Sequence, residues 1–183
     1  MKKYIKIFII VLCLIFISGC KDKKENNNDG LRFIEEYSAI GIEEYDNVKY
    51  SDIDEVLDII DNGSGVIYFG SGDNDLCLLS VPILFNASDN TSLDRIYYVS
   101  INDIDKEFSI KDKEDNVIIS NDNMNIPLVL FVYDGNIVSY HVGTIDNKVE
   151  LTDDESIELY NIYVNGIHDV LNDQCDSNGD EHC

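Results

Sequence analysis

Residues 126–142 contain the pattern that most restricts the fold of this chain. An almost uninterrupted apolar run, Ile-Pro-Leu-Val-Leu-Phe-Val-Tyr, is followed by Asp134-Gly135-Asn136 and then by residues 137–142, which are suited to a second strand. An Asp-Gly pair supplies the positive φ angles that a tight turn between antiparallel strands requires. The pattern therefore predicts a β-hairpin whose first strand lies in the core.

Strand and helix patterns alternate before this hairpin. Residues 65–69 are continuously apolar, as in a strand that is buried on both faces of a sheet, and residues 96–101 predict another buried strand. Residues 53–60 have apolar positions at helical spacing after a capping box at residues 51–54, in which Ser51 is the expected cap. A second helix is predicted over residues 76–87 and contains Pro82.

The rest of the chain adds one hairpin and one long helix. Residues 108–119 predict a small acidic hairpin, and Thr152 begins a capping box for the last helix. Apolar residues spaced by three or four positions are expected to form the buried stripe of that helix, namely Ile157, Tyr160, Val164, Ile167 and Leu171. Helices between strands, with a terminal antiparallel hairpin, predict an α/β sandwich around a mixed central sheet.

The first twenty residues have the layout of a secretory signal, with a cationic start, an apolar run and small residues before Cys20. The ending Ile-Ser-Gly-Cys resembles the bacterial lipobox, in which the cysteine is diacylated and becomes the first residue. The apolar run of residues 7–17 is short for a membrane-spanning helix, although an uncleaved anchor is the alternative. We therefore expect a signal peptide at residues 1–19 and a lipid on Cys20 that holds the protein to the outer face of the cytoplasmic membrane.

These features divide the chain into four predicted parts. After the signal peptide come a flexible tether at residues 20–32, one folded domain at residues 33–172 and an acidic tail with two cysteines at residues 173–183. With 13 basic and 36 acidic residues, the formal net charge is −23, which excludes nucleic-acid binding through a basic surface. Most acidic side chains are expected to be solvated; weak cation binding or attraction to a basic peptide is the alternative.

The surroundings of Cys77 resemble the thioredoxin family. A buried strand leads to Cys77 at a predicted helix start, Pro82 follows five residues later, and Ile126-Pro127 opens a later strand. In that family a strand leads into Cys-x-x-Cys, a proline follows the second cysteine by five residues, and a cis-proline faces the active site. The chain is more narrowly similar to thioredoxin-like lipoproteins of low-GC Gram-positive bacteria, some labelled bacteriocin-transport accessory proteins, on Glu35-Glu36-Tyr37, residues 140–144 and the two-cysteine tail.

The resemblance places the family's nucleophilic cysteine at Asn74 and its resolving cysteine at Cys77. Dithiol exchange needs a thiolate at the helix N-terminus to attack a disulfide, and asparagine cannot do this. Asp73 and Asp75 are expected to raise the pKa of a nearby thiol by charge repulsion. Cys77 is therefore either a buried thiol that packs in the core, a partner for a mixed disulfide, or a partner of a tail cysteine.

The resemblance also implies a cis bond before Pro127. If the bond is cis, the backbone of Ile126 presents an edge on which an extended peptide can dock; alternatively the cis-proline only shapes the core. The predicted function is thus a lipid-anchored protein that binds a protein or peptide partner without dithiol turnover. The alternative is a weak thiol–disulfide oxidoreductase or thiol trap that uses Cys77 beside Pro127, and a third possibility is a degenerate paralogue without a retained role. Whether the protein is an enzyme is left open.

The tail cysteines Cys175 and Cys183 are separated by seven residues, and a disulfide that closes this loop is the preferred interpretation. A metal site using both cysteines and His182 is the weaker alternative, since adjacent ligands chelate zinc poorly. His141 and His168 are expected to be structural or solvated. No cofactor is expected.

Overall fold

The computed structural model describes residues 28–42, 45 and 47–176, and side chains over 29–42, 45 and 47–171. The predicted signal peptide, the lipidation site Cys20 and most of the tether lie outside the described residues. So do Cys183, His182 and the side chain of Cys175, and with them the predicted tail disulfide. Within the described part of the chain, no helix has the length and apolar character needed to cross a membrane.

Helices and strands alternate over the first six elements, and four further strands then precede the last helix, with short 3-10 turns between some of them. The order is α1 (Asn28–Glu36), β1 (Val48–Tyr50), α2 (Ile53–Asn62), β2 (Gly65–Gly70), α3 (Asp75–Thr91), β3 (Ile96–Ser100), β4 (Ser109–Lys111), β5 (Val117–Ser120), β6 (Leu128–Tyr133), β7 (Asn136–Val142) and α4 (Asp153–Asp176).

The central sheet has five strands in the order β1-β3-β2-β6-β7. β1, β3 and β2 are parallel, β6 is antiparallel to β2, and β7 is antiparallel to β6. The β6–β7 turn has positive φ at Asp134 and Gly135, as the sequence predicts. The protein is therefore a thioredoxin-like α/β sandwich with a mixed central sheet and a long C-terminal helix.

Alternating side chains of β2 divide the core into two layers. Val66 and Tyr68 pack against α1, α3 and α4, whereas Ile67 and Phe69 pack against α2 and the β4–β5 hairpin. The hairpin covers its face with Phe108, Ile110, Ile118 and Ile119. The acidic hairpin predicted from residues 108–119 thus covers this face of the sheet together with α2.

The cap of α2 differs from the prediction. Ser51 is not the cap, because its backbone N–H donates to the Tyr98 carbonyl and extends the β1–β3 pairing. Asp52 instead has extended backbone angles and accepts a hydrogen bond from the Glu55 N–H at 2.9 Å. The predicted capping box of α4 is confirmed, since the Glu155 carboxylate accepts from the Thr152 N–H and the Thr152 hydroxyl accepts from the Glu155 N–H.

The buried stripe of α4 agrees with the predicted one at Ile167 and is displaced from it at the other positions. Ile157 is 58% exposed, and the fully buried positions are Leu159, Tyr163 and Ile167. A Cβ at Gly166 would lie 2.4 Å from the ring of Phe131. The helix therefore turns its side-chain-free position toward β6, and the predicted residues Tyr160, Val164 and Leu171 lie half-buried beside that face.

Both ends of the folded domain extend beyond the predicted boundaries. α1 begins at Asn28, within the region assigned to the tether, and the Asp29 carboxylate accepts from the Tyr50 N–H at 3.1 Å. This contact satisfies a backbone donor on the edge strand β1, which would otherwise be open for pairing. α4 continues to Asp176, past the predicted end at residue 172.

Candidate functional site

Asn74 is the N-cap of α3. Its backbone is extended, with φ −106° and ψ 121°, and its side-chain oxygen accepts a hydrogen bond from the Cys77 N–H at 3.0 Å. Asparagine is among the strongest N-cap residues because it satisfies an otherwise unpaired amide of the first turn. The position that the resemblance matches to a nucleophilic cysteine therefore stabilises the start of α3.

Cys77 is a free cysteine with no exposed surface. Burial raises the pKa of its thiol, hydrogen bonds from the Ser71 backbone and the Tyr68 hydroxyl oppose this rise, and the charge of Glu36 adds to it. The predicted effect of Asp73 and Asp75 on this pKa is absent from these causes, since both carboxylates lie at the surface while the thiol lies in the core. A buried thiol with a raised pKa is a poor nucleophile.

A row of tyrosines crosses the sheet near Cys77. Tyr50, Tyr98 and Tyr68 occupy matching register positions on β1, β3 and β2. The Tyr37 hydroxyl lies 3.3 Å from that of Tyr68 and 3.4 Å from that of Tyr98. Burial is the main cause that raises the pKa of each of these four phenols well above its usual range, so all remain neutral and can donate hydrogen bonds.

Glu36, near the end of α1, accepts hydrogen bonds from this row and from the site loop. The Tyr98 and Tyr50 hydroxyls donate to its two carboxylate oxygens, each at 2.6 Å. The Ser100 hydroxyl donates at 3.0 Å and the Gly72 N–H at 3.4 Å. A Cβ at Gly72 would lie 2.0 Å from the Glu36 carbonyl oxygen, so glycine is required for this close approach. The carboxylate thus joins α1, two strands and the loop before Asn74.

The Ile126–Pro127 peptide bond is cis, as the resemblance implies. It borders a groove of about 370 Å³ that runs between the start of α3 and the strand ends of β6 and β7. The groove has polar and apolar parts: three asparagines and four apolar residues line it, namely Asn74, Asn125, Asn147, Leu76, Met124, Ile126 and Val142. Sequence reasoning identified only Asn74 and Ile126 among these residues.

The backbone near the cis bond leaves one edge open. The Pro127 carbonyl accepts from the Gly143 N–H at 2.7 Å, whereas the backbone of Ile126 has no hydrogen-bond partner among the described residues. Gly143 has φ +78°, and a Cβ there would lie 1.9 Å from the Asn147 side-chain oxygen. Gly143 therefore leaves the space in which the Asn147 side chain reaches the groove.

Asn147 belongs to a turn with unusual backbone angles. Asp146 and Asn147 both have positive φ, at 53° and 54°. Such conformations cost about 1–3 kcal/mol each for residues with a side chain and are held in place by their surroundings. Asparagine and aspartate tolerate positive φ angles best among residues with a side chain. Their presence at these two positions does not show, from the sequence alone, that the turn lies opposite Asn74.

No cluster of three or more His, Cys, Asp and Glu side chains that could hold a metal ion occurs in the described part of the chain. His168 is exposed. His141 lies on β7 with its ring 6.0 Å from that of Tyr163. Its Nε2 is buried and lacks a hydrogen-bond partner among the described residues.

No protein-family model matches the sequence, and no curated protein matches it either. The thioredoxin-like fold follows from the strand order and directions, and the resemblance to a lipoprotein family follows from the sequence motifs alone.

Proposed function

We propose that this protein binds an extended segment of a protein or peptide in the groove between Asn74 and Ile126, without dithiol turnover. It does so outside the cell membrane, held by lipid on Cys20. The observation that carries the proposal is the open groove beside Ile126, whose backbone has no hydrogen-bond partner among the described residues, together with the full burial of the Cys77 thiol.

The groove offers the contacts that strand pairing uses. An extended peptide that adds to an open edge gains main-chain hydrogen bonds, and pockets for alternate side chains provide selectivity. Ile126 supplies such an edge, while Leu76 and Val142 supply apolar surface. The Asn125 and Asn147 amides can donate to and accept from a peptide backbone.

The alternative function, a weak oxidoreductase or thiol trap, has less support. It requires Cys77 to meet a disulfide, but Cys77 has no exposed surface and burial raises the pKa of its thiol. Asn74 occupies the position from which a nucleophilic thiolate would attack a disulfide, and its side chain caps α3 instead. Both features reduce the amount of accessible thiolate.

The test fills the groove and leaves the fold intact. Leu76→Trp adds an indole at the groove wall in the first turn of α3, and Asn90→Trp adds the same group at the exposed far end of that helix as the control. Peptides selected on an array by the purified full-length protein are measured by fluorescence anisotropy. We expect Leu76→Trp to weaken binding at least about tenfold, because a group that occupies the pocket excludes the ligand, and Asn90→Trp to leave it unchanged.

Amide chemical shifts locate the contact independently. Saturation with a selected peptide is expected to shift the resonances of Asn74, Ile126 and Val142. Equal affinity for both tryptophan variants, or shifts confined to another surface, would show that the groove is not the binding site.

A further inference from the structure

We propose that the groove selects positively charged ligands: extended peptide segments with lysine or arginine on both sides of a neutral residue. This inference rests on the proposed function and specifies the partner's chemistry. The groove walls themselves carry no charged side chain among the described residues, so selectivity by charge must come from the rims.

The rims of the groove, taken as the residues next in sequence to its lining residues, carry carboxylates on both sides. Asp73 and Asp75 flank Asn74, are exposed, and form no ion pair with any described residue. On the opposite wall Asp146 precedes Asn147. Its cationic partner Lys148, 3.8 Å away, also pairs with Glu155. The net charge around the groove is therefore negative.

The N-terminus of α3 opposes this charge only weakly. A helix N-terminus carries about half a positive elementary charge, whereas Asp73 and Asp75 contribute two full negative charges. One amide of the first turn, that of Cys77, is already bound by the Asn74 side chain. The carboxylates thus outweigh the helix dipole, and a cation is favoured over an anion at this end of the groove.

The spacing of side chains along an extended peptide fits this arrangement. Side chains at positions i and i+2 point to one side of a strand and the residue between them points to the other. If the middle residue faces the apolar floor formed by Leu76 and Val142, its two neighbours point away from that floor, toward the solvent side on which the exposed carboxylates lie. A basic–neutral–basic segment then places its cations near the carboxylates, and the net charge of −23 attracts it from a distance.

Three labelled peptides that differ only in charge test the inference. They are Gly-Ser-Lys-Val-Lys-Ser-Gly and its forms with both lysines replaced by glutamine or by glutamate, and anisotropy is measured with the full-length protein. At 0.1 M NaCl we expect the lysine peptide to bind at least about tenfold more tightly than the glutamate peptide, since complementary and like charges act in opposite directions. At 1 M NaCl the difference should largely disappear, because the Debye length falls from about 10 Å to about 3 Å.

A pair of double variants separates the rim charges from the net charge. Asp73→Asn with Asp75→Asn should weaken the lysine peptide about fivefold, as expected for two exposed charges, and leave the glutamine peptide unchanged. Asp61→Asn with Asp134→Asn removes the same total charge at the opposite end of β2, where Asp61 lies in the last turn of α2 near the β6–β7 turn. This control should leave the affinity for the lysine peptide within about twofold, because exposed charges more than a Debye length apart are largely screened.

The outcomes distinguish the charge preference from the groove itself. Equal affinity for the lysine and glutamine peptides, or equal losses in both double variants, would overturn the preference while Leu76→Trp still abolished binding. If array-selected peptides were acidic, the preference would also be overturned. If no peptide of any charge bound the groove, the proposed function would fall with it.

Discussion

Replacing Glu36 by alanine should destabilise the fold by about 3 kcal/mol, a value that follows from its two shortest hydrogen bonds. The Tyr50 and Tyr98 hydroxyls each donate to this carboxylate at 2.6 Å. A hydrogen bond to a charged group contributes about 1.5–3 kcal/mol, which gives about 3–6 kcal/mol for the two phenols. The lower end applies, because Glu36 is partly exposed and the Tyr98 hydroxyl can turn toward that of Tyr37, 3.4 Å away.

Urea unfolding followed by far-UV circular dichroism measures this loss. The matched control is Glu35→Ala, which removes the same charge from an exposed neighbour on α1 and should change the free energy of unfolding by at most about 0.5 kcal/mol. For a domain of this size about 3 kcal/mol corresponds to a melting temperature lower by about 6–12 °C. Glu36→Gln should lie between the two, because its amide keeps one acceptor oxygen.

The reasoning fails if the free energies of unfolding of Glu36→Ala and Glu35→Ala differ by less than about 1 kcal/mol, which is the contribution of a single ordinary hydrogen bond. Such a result would mean that the phenols find other partners once the carboxylate is gone. The urea dependence of unfolding must be unchanged for the comparison to hold, because a changed slope indicates an altered unfolded or folded state.

Three further predictions concern Asn74, Cys77 and His141. Asn74→Cys should create insulin-reducing activity that the native protein and Asp73→Cys both lack, because only position 74 pairs with Cys77 across one helical turn; activity in the native protein that Cys77→Ala abolishes would contradict this. Iodoacetamide should alkylate Cys77 only after denaturation, as read from the mass of its peptide, since the thiol has no exposed surface; rapid native labelling would disprove the assigned burial. Burial lowers the pKa of His141, so the unfolded chain binds its proton first and stability should fall as pH drops below about 6.5. His141→Gln should reduce the fall in the urea midpoint of unfolding between about pH 7.5 and about pH 5.5. An unchanged pH dependence of this midpoint would contradict the role of His141.

The fold could be predicted because its core strands are set by local patterns. Residues 65–69 and 128–133 are apolar throughout and occupy the centre of the sheet, where both faces are covered. The turn at Asp134 and the capping box at Thr152 depend on short-range chemistry that the sequence displays directly. Each of these predictions needs only neighbouring residues, and each is confirmed.

The errors arise where distant segments decide the outcome. Ser51 and Asp52 are both good caps, and the choice depends on a hydrogen bond from Ser51 to Tyr98 on another strand. In α4 two apolar stripes have helical spacing, and contact between Gly166 and Phe131 selects the buried one. Tertiary contacts of this kind leave no periodic signal in the sequence.

In the candidate site, too, a local motif reveals some residues and only tertiary contacts reveal the others. Asn74, Cys77 and Pro127 were identified because they fall at the positions of a known motif, and the cis bond before Pro127 is present. Glu36 was noticed only as part of an acidic opening, although it accepts hydrogen bonds from two strands and the site loop. Asn147 was missed because it reaches the groove through the space beside Gly143.

The two properties expected of this site, loss of thiol chemistry and retention of a groove, depend on different atoms. Thiol exchange requires two sulfur atoms at the start of α3. The side chain of Asn74, which caps the helix, stands in place of one of them. Cys77 supplies the other, but its thiol is buried in the core. The groove depends on the backbone at Ile126 and on the side chains that line it, none of which contributes to thiol chemistry. Asp73 and Asp75 are exposed and do not contribute to the shift in the pKa of the buried Cys77 thiol. Their charges would therefore act on the proposed basic ligand and not on thiol chemistry, so the loss of one property does not depend on the other.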